Sequence, residues 1–193
     1  MRKRLFAVLL MPLCLLAACG KQGNEPMQAA LALRTQLLRA EECAMTAQLR
    51  VDVEDRIYDV TLACVFLADG SAELTVTAPE TICGICARLD GDGGMLEFDG
   101  IALELGRPAD CALAPIELPA LLLRCWQAAY IDSAGTEEGE IHVCYDADTL
   151  CRDAVIDTWL NEENIPIRAE IRLDGRRIAL VTLSDVQING GTQ

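Results

Sequence analysis

Two cysteines three residues apart, Cys83 and Cys86, are the first side chains in this sequence whose type and spacing suggest chemistry. A redox dithiol needs a helix whose N-terminus lowers one thiol pKa, yet the flanking residues alternate as strands do. A zinc site needs a second ligand pair, and the chain has no other Cys-x-x-Cys. On a continuous strand, residues three apart point to opposite faces about 10 Å apart, unless Gly84 turns the chain. The motif therefore predicts two apolar side chains, and a thiol oxidoreductase ranks last among the possible functions.

Cys144 and Cys151 are the better candidates for a disulfide bond. If residues 146–149 form the loop of a hairpin, these two cysteines face each other directly. Opposed residues in a non-hydrogen-bonded pair have Cα atoms about 4.5 Å apart, at the short end of the disulfide range. An extracytoplasmic location permits the oxidation. The sequence leaves open whether the pair is bridged or reduced.

No other set of side chains predicts catalysis or metal binding. His142, the only histidine, would face Asp153 in the same hairpin, with no nucleophile expected beside it. The Asp-Gly-Asp-Gly sequence at residues 90–93 lacks the ligand spacing of a calcium loop and predicts a turn. We therefore expect a protein that is not an enzyme and that uses neither a cofactor nor a metal. The remaining cysteines of the predicted domain are expected to be small buried apolar side chains: Cys43, Cys64, Cys111 and Cys125.

The N-terminus has the features of a lipoprotein export signal. Residues 2–4 are basic, residues 5–15 form an apolar run, and Leu-Ala-Ala-Cys-Gly follows at residues 16–20. The run is too short to span a bilayer and has the proportions of a signal-peptide core. The sequence after it resembles the bacterial lipobox, whose cysteine is diacylated and becomes the first mature residue. We predict a signal peptide at residues 1–18, lipidation of Cys19, a tether at residues 19–25 and anchoring on the extracytoplasmic face of the cell membrane.

The charge of the chain excludes two classes of partner. The net charge is -14, and the signal peptide takes three cations with it, so the mature chain carries -17 (-14 minus 3). Without a basic stripe the chain is not expected to bind nucleic acid or to be attracted to anionic lipid headgroups. The remaining length suits one domain, predicted at residues 26–193.

The spacing of apolar residues changes from helical to alternating near residue 47. Residues 26–43 predict a helix with Met27, Ala30, Leu31, Leu37 and Leu38 on its apolar face. Residues 107–126 contain three prolines and predict a loop with a short helix starting near Pro119. Alternation between turn signals predicts about eleven strands, near residues 47–54, 58–66, 72–76, 82–89, 94–98, 101–105, 126–133, 139–145, 151–160, 165–173 and 176–188.

Sequential hairpins of this kind predict an α+β fold built on one antiparallel sheet with one buried face. About eleven strands exceed what a flat sheet tolerates, so we expect a strongly curved half-barrel packed on the N-terminal helix and the short helix. Its concave face either binds an apolar ligand or forms a filled core, and periodicity does not distinguish the two. The candidate ligand-binding residues are Tyr58, Val60, Leu62, Phe66, Leu74 and Val76.

The whole pattern resembles that of the LolA-like and LolB-like lipoprotein carriers. Residues 159–178, WLNEENIPIRAEIRLDGRRI, are similar to the C-terminal hairpin of these carriers. Residues 76–85 resemble an element of the lipid-anchored germination and sporulation lipoproteins of Gram-positive bacteria. The resemblance covers roughly residues 26–188. It implies an incomplete barrel packed on helices, whose apolar cavity accepts acyl chains in the carriers.

Two functions from different classes remain as hypotheses. The first is a non-enzymatic lipoprotein that binds a lipid or another apolar ligand in the half-barrel cavity. The alternative is a protein-interaction scaffold in envelope or spore assembly or germination, which contacts a partner protein or a second copy through its sheet edge or outer face. Lipid that co-purifies with the unlipidated domain would favour the first, and a stable complex without lipid would favour the second.

Overall fold

The computed structural model describes residues 25–53, 56–90, 93–105 and 114–190. The predicted signal peptide, the lipidation site Cys19, residues 19–24 of the tether and the thiol of Cys111 lie outside these residues. No helix within the described ranges has the length and apolar character needed to cross a membrane.

A single sheet of eleven strands forms the body of the protein, with neighbouring strands antiparallel throughout. Its order is β6-β5-β4-β3-β2-β1-β11-β10-β9-β8-β7, so the pairing of β1 with β11 joins two meanders. The expected α+β class, one antiparallel sheet of about eleven strands packed on two helices, is confirmed. The strands are β1 Ala40–Val53, β2 Arg56–Leu67, β3 Ala72–Ala78, β4 Cys86–Asp90, β5 Gly93–Phe98, β6 Ile101–Leu105, β7 Tyr130–Glu137, β8 Glu140–Asp146, β9 Ala154–Leu160, β10 Pro166–Leu173 and β11 Arg176–Gly190.

Helix α1, Glu25–Arg39, lies on one face of the sheet, here called the inner face. Glu25 and Pro26 both suit the first turn of a helix. The negative charge of Glu25 interacts favourably with the positive end of the helix dipole. Pro26 has no N–H group, but an N–H at this position would have no partner within the helix. The buried residues are Pro26, Ala29, Ala30, Leu33 and Leu37.

The predicted apolar face of this helix is partly wrong. Leu31 and Leu38 are exposed, whereas Ala29 and Leu33 are buried. Apolar residues occupy two neighbouring faces of α1, and the sequence pattern does not show which of the two is buried. The small side chains of Ala29 and Ala30 let the buried face approach its neighbours closely. The helix also ends at Arg39 rather than near residue 43, because β1 begins at Ala40 and pairs at once with β11.

Helix α2, Leu118–Ala128, follows a 3-10 turn at Pro115–Glu117 and confirms the predicted short helix. It packs against α1 and is buried on nearly all sides, including Leu121, Leu122 and Trp126. Arg34 of α1 joins the two helices, since its guanidinium donates to the backbone carbonyls of Trp126, at 3.0 Å, and of Ala129. The strand predicted from residue 126 therefore starts later, at Tyr130.

The helices cover only part of the inner face. Helix α1 contacts β1, β7, β8 and β11, and the 3-10 turn Pro115–Glu117 contacts β3. Neither α1 nor α2 has a comparable contact with β4, β5 or β6 within the described residues. The buried core consequently lies under the helices, and the sheet continues beyond it.

Candidate functional site

The six predicted ligand-binding residues all lie on the inner face, but most belong to the filled core. Leu62, Phe66, Leu74 and Val76 are buried, and the half-buried Val60 packs against them. Tyr58 pairs with Val51 at the start of β2 and keeps 43% of its surface exposed. A binding role for these residues stays a prediction.

An apolar patch on β4, β5 and β6 is the part of the inner face that the helices leave open. Paired residues of antiparallel strands point to the same face, and Leu96 pairs with both the buried Ala87 and Leu103. Phe98 pairs with Ile101 in the same orientation. Exposure is 44% for Phe98, 65% for Ile101 and 60% for Leu103. We call this surface the open patch: Leu89, Leu96, Phe98, Ile101 and Leu103.

Strands β5 and β6 of the open patch lie where the sequence predicts them, but the exposure of the patch was not predicted. Alternation shows that one face of β5 and β6 is apolar, yet it carries no information on where a distant helix ends. An apolar strand face with no helix over it is unusual in a folded domain, because such surface is normally removed from water. The open patch is therefore the first candidate for a ligand site.

A second candidate site, here called the second concavity, lies between the end of α1, the β9–β10 turn and the end of β11. It has a volume of about 410 Å³ and an apolar floor of Ile165, Val186 and Ile188. Arg39 and Glu163 stand on its rim. This volume falls within the range of small-molecule sites, and the charged rim distinguishes it from the open patch.

The outer face of β8, β9 and β10 carries a polar network centred on Asp157. The Asp157 carboxylate is nearly buried and contacts the His142 Nε2 at 2.9 Å and the guanidinium of Arg172. The imidazole stacks on the Trp159 ring with centroids 4.7 Å apart, and Arg168 lies over the same indole at 3.9 Å. Each charged group has a partner, so the arrangement joins three strands rather than presenting a free catalytic base.

The predicted pairing of His142 with Asp153 is wrong. In the register of β8 with β9, His142 lies opposite Trp159. The ring contacts two carboxylates, Asp157 at 2.9 Å and Glu137 at 3.8 Å. Glu137 also accepts a hydrogen bond from the Trp159 Nε1 at 2.8 Å.

The predicted register that opposes Cys144 to Cys151 is also wrong. Cys144 lies opposite Asp157 and is a free thiol, whereas Cys151 is disulfide-bonded. The β8–β9 loop spans residues 147–153, longer than the four residues expected, because Ala147 and Ala154 close it and buried Cys151 sits inside it. Burial raises the pKa of Cys144 to about 11, and the nearby Asp157 carboxylate adds to the effect. This thiol is not activated.

Cys83 and Cys86 are free thiols on either side of a turn. Cys83 ends a 3-10 turn at Glu80–Ile82, Gly84 has a φ of +90°, and Cys86 begins β4. The assumption of one strand through residues 82–89 was wrong, since Gly84 interrupts it. No α-helix starts at either thiol. Within the described ranges, no three histidine, cysteine, aspartate or glutamate side chains are placed to hold a metal ion.

The prediction of buried apolar cysteines is confirmed for Cys43, Cys64 and Cys125. Burial raises their pKa values, to about 11 for Cys43 and about 12 for the other two. A protonated, inaccessible thiol is a poor nucleophile. These three cysteines are packing residues.

Comparisons with known proteins find similarity in structure but not in sequence. No protein-family model matches the chain, and no curated protein sequence matches it. A LolA superfamily protein from Nitrosomonas europaea aligns over 84% of this chain and 94% of its own, at 10% identity and a TM-score of 0.46. An uncharacterized conserved protein from Thermus thermophilus aligns over 86% and 89%, at 8% identity and a TM-score of 0.50. One chain in the structure of the CwlD amidase in complex with the GerS lipoprotein, from Clostridioides difficile, aligns over 84% of this chain and 95% of its own, at 12% identity and a TM-score of 0.46. At these identities the likeness concerns the fold alone.

Proposed function

We propose that this protein is a membrane-anchored extracytoplasmic lipoprotein without enzymatic activity, and that its half-barrel sheet binds an apolar ligand, an acyl chain, at the open patch. The observation that carries the proposal is the exposure of Phe98, Ile101 and Leu103 on the same face as the core. An acyl chain laid over β5 and β6 would continue the core outward and remove this surface from water.

The energetics of the open patch suit a reversible ligand. Full burial of a large aliphatic or aromatic side chain contributes about 1.5–3 kcal/mol. Phe98, Ile101 and Leu103 still expose roughly half of their surface, so each would contribute about 1 kcal/mol on binding. The three side chains together would contribute about 3 kcal/mol, to which the burial of the ligand adds and from which the entropy cost of association subtracts.

Anchoring brings the domain to a source of acyl chains. The predicted lipidation site, Cys19, is followed by five residues before α1 begins at Glu25. Five extended residues reach at most about 18 Å. The domain would therefore work close to the membrane surface, while its negative charge keeps it off anionic headgroups.

Lipid binding can be tested on the chain carrying Cys19→Ser, which removes the acylated residue. Lipids extracted from the purified protein are identified by mass spectrometry, and a fluorescent fatty acid is titrated into the lipid-free form. Leu103→Asp places a charge in the open patch and should weaken binding at least about tenfold, equivalent to about 1.4 kcal/mol. Met95→Asp is the matched control, because Met95 lies on β5 opposite Glu104, with its exposed side chain on the outer face.

The expected result is bound lipid in the parent protein and in Met95→Asp, and its loss in Leu103→Asp. If the parent protein binds no lipid, or if both variants bind as the parent does, the proposal is contradicted. Activity in an insulin-reduction assay that Cys83→Ala abolishes would contradict the non-enzymatic assignment.

A second candidate function, a protein-interaction scaffold, is favoured by one observation. Strand β6 lies at the end of the sheet order, so one of its backbone edges has no neighbouring strand within the described part of the chain. A lipid-free protein that forms a stable complex with another protein or with itself would support this function over ligand binding. A role in germination or sporulation stays a prediction of the sequence resemblance.

A further inference from the structure

Within the described ranges, one edge of strand β6 has no partner strand, and the backbone groups along this edge follow a defined pattern. Asp99 and Gly100 have φ values of +50° and +77°, as in a two-residue type I′ turn, so Phe98 and Ile101 form its closing hydrogen-bonded pair. Hydrogen-bonded and non-hydrogen-bonded pairs alternate along an antiparallel ladder. Ile101 and Leu103 therefore bond to β5, while Ala102 and Glu104 direct their N–H and C=O groups to the open edge.

The opposite edge of the sheet, β7, is protected against strand addition in ways that β6 is not. A register shift between Ile131 and Ser133 interrupts β7, and the strand carries Asp132 and Glu137. Helix α1 also contacts β7 on its inner face. Bulges, charges and covering elements are the usual means of blocking a sheet edge. Strand β6 pairs with β5 in unbroken register and has only Glu104 as a charged residue.

The charges around β6 favour a basic occupant. Glu104 is exposed on the strand, and Asp99 is exposed in the turn beside it. Among the described residues, Arg88 on β4 lies two strands away in the sheet order and is already paired with Glu73 and Glu97, at 3.2 and 2.8 Å. A second copy of the chain would bring the same acidic residues to the interface, and the net charge of -14 opposes that approach.

We propose that β6 accepts an extended segment of a partner protein as a twelfth strand, and that this segment alternates apolar residues with lysine or arginine. Its apolar side chains would lie beside Ile101 and Leu103 and extend the open patch. Its basic side chains would lie on the outer face, near Glu104. Main-chain bonds to Ala102 and Glu104 supply the pairing, and the side chains select the partner. This inference does not depend on lipid binding, since it uses the strand edge rather than the face.

The test uses the full chain, extracted from membranes in a mild detergent, and two fluorescent acetylated heptapeptides. One peptide alternates valine with lysine, and the other alternates valine with glutamate. Fluorescence anisotropy should show that the lysine peptide binds and that the glutamate peptide binds at least about tenfold more weakly, because like charges at a contact are repulsive.

Three substitutions separate backbone pairing from general electrostatic attraction. Ala102→Pro removes an outward N–H without breaking a bond to β5, and should weaken the lysine peptide about five- to tenfold. Ala102→Thr keeps the N–H and should bind as the parent chain does. Glu104→Lys should reverse the preference between the two peptides, an effect that a loss of folding does not produce.

Several outcomes would overturn the inference. They are equal binding of both peptides, an unchanged preference in Glu104→Lys, or equal binding to Ala102→Pro and Ala102→Thr. A concentration-dependent dimer that forms without peptide and that Ala102→Pro dissociates would identify a second copy as the occupant, and would also overturn it.

Discussion

Replacing Tyr145 with phenylalanine should make the protein more stable. The Tyr145 side chain is fully buried on the inner face, and its hydroxyl is the one buried side-chain polar atom without a hydrogen-bond partner among the described residues. Burial raises its pKa well above the usual range, and the Cys125 thiol nearby adds to this. The hydroxyl therefore stays protonated and unpaired, at a desolvation cost that the unfolded state does not bear.

The size of the effect follows from two opposing contributions. An unsatisfied buried hydroxyl costs about 1–3 kcal/mol, and Tyr145→Phe removes that cost. The void left by one oxygen atom returns up to about 1 kcal/mol. We expect a net stabilisation of about 1 kcal/mol, which raises the melting temperature of a domain of this size by about 2–4 °C.

Urea denaturation followed by tryptophan fluorescence measures the change. Tyr130→Phe is the control, because Tyr130 is 70% exposed and its hydroxyl is hydrated in both states. Thr158→Val is the converse: it removes the acceptor of the bond from the Trp126 Nε1, 3.0 Å away, and should cost about 1–3 kcal/mol. If Tyr145→Phe destabilises the protein by 1 kcal/mol or more, the hydroxyl has a partner and the reasoning fails.

Three further predictions concern the cysteines and the helix contact. Cys144 is a free thiol and Cys151 is disulfide-bonded, so iodoacetamide should label Cys144 in the unfolded, unreduced protein and Cys151 only after reduction. If neither cysteine is labelled before reduction, the two are bonded to each other and the prediction is wrong. Burial raises the pKa of Cys64 to about 12 from 9.0, so the stability that its protonated form contributes is complete below pH 9 and is lost as the pH rises towards 12. Urea titrations between pH 8 and 11 should show this fall, and Cys64→Ala should reduce its slope; equal slopes would refute it. Arg34→Met should cost about 2–3 kcal/mol, because Arg34 donates to two carbonyls at the end of α2, whereas Arg39→Met on the exposed last turn of α1 should cost less than about 0.5 kcal/mol. Equal costs for the two arginine variants would show that the carbonyl contacts contribute little.

The strands were predictable because a period of two is a local signal. The connections between successive strands of the two meanders contain glycine, aspartate or asparagine, and most strand bounds follow from these residues. The length of the β8–β9 loop was predicted wrongly because two small apolar residues inside the loop, Ala147 and Cys151, continue the alternating pattern of the strands. Asp148 instead accepts a hydrogen bond from the Asp153 N–H at 2.9 Å and holds a longer loop.

The candidate sites were less predictable because they depend on contacts between distant parts of the chain. The inward direction of Leu62 and Leu74 follows from periodicity, but their burial under helices does not. The exposure of Ile101 and Leu103 depends on where α1 and α2 end on the sheet, and the contact of His142 with Asp157 depends on a register that the β8–β9 loop length sets.

Photo-crosslinking with a fatty acid that carries a diazirine on its chain tests ligand binding at the open patch most directly. The labelled peptides are identified by mass spectrometry after exposure of the Cys19→Ser chain to the probe and to light. If the open patch binds the acyl chain, the labels fall within residues 93–105, on β5 and β6, and unlabelled fatty acid prevents this labelling. Labels confined to Ile165, Val186 and Ile188 in the second concavity, or no label that competes, would contradict it.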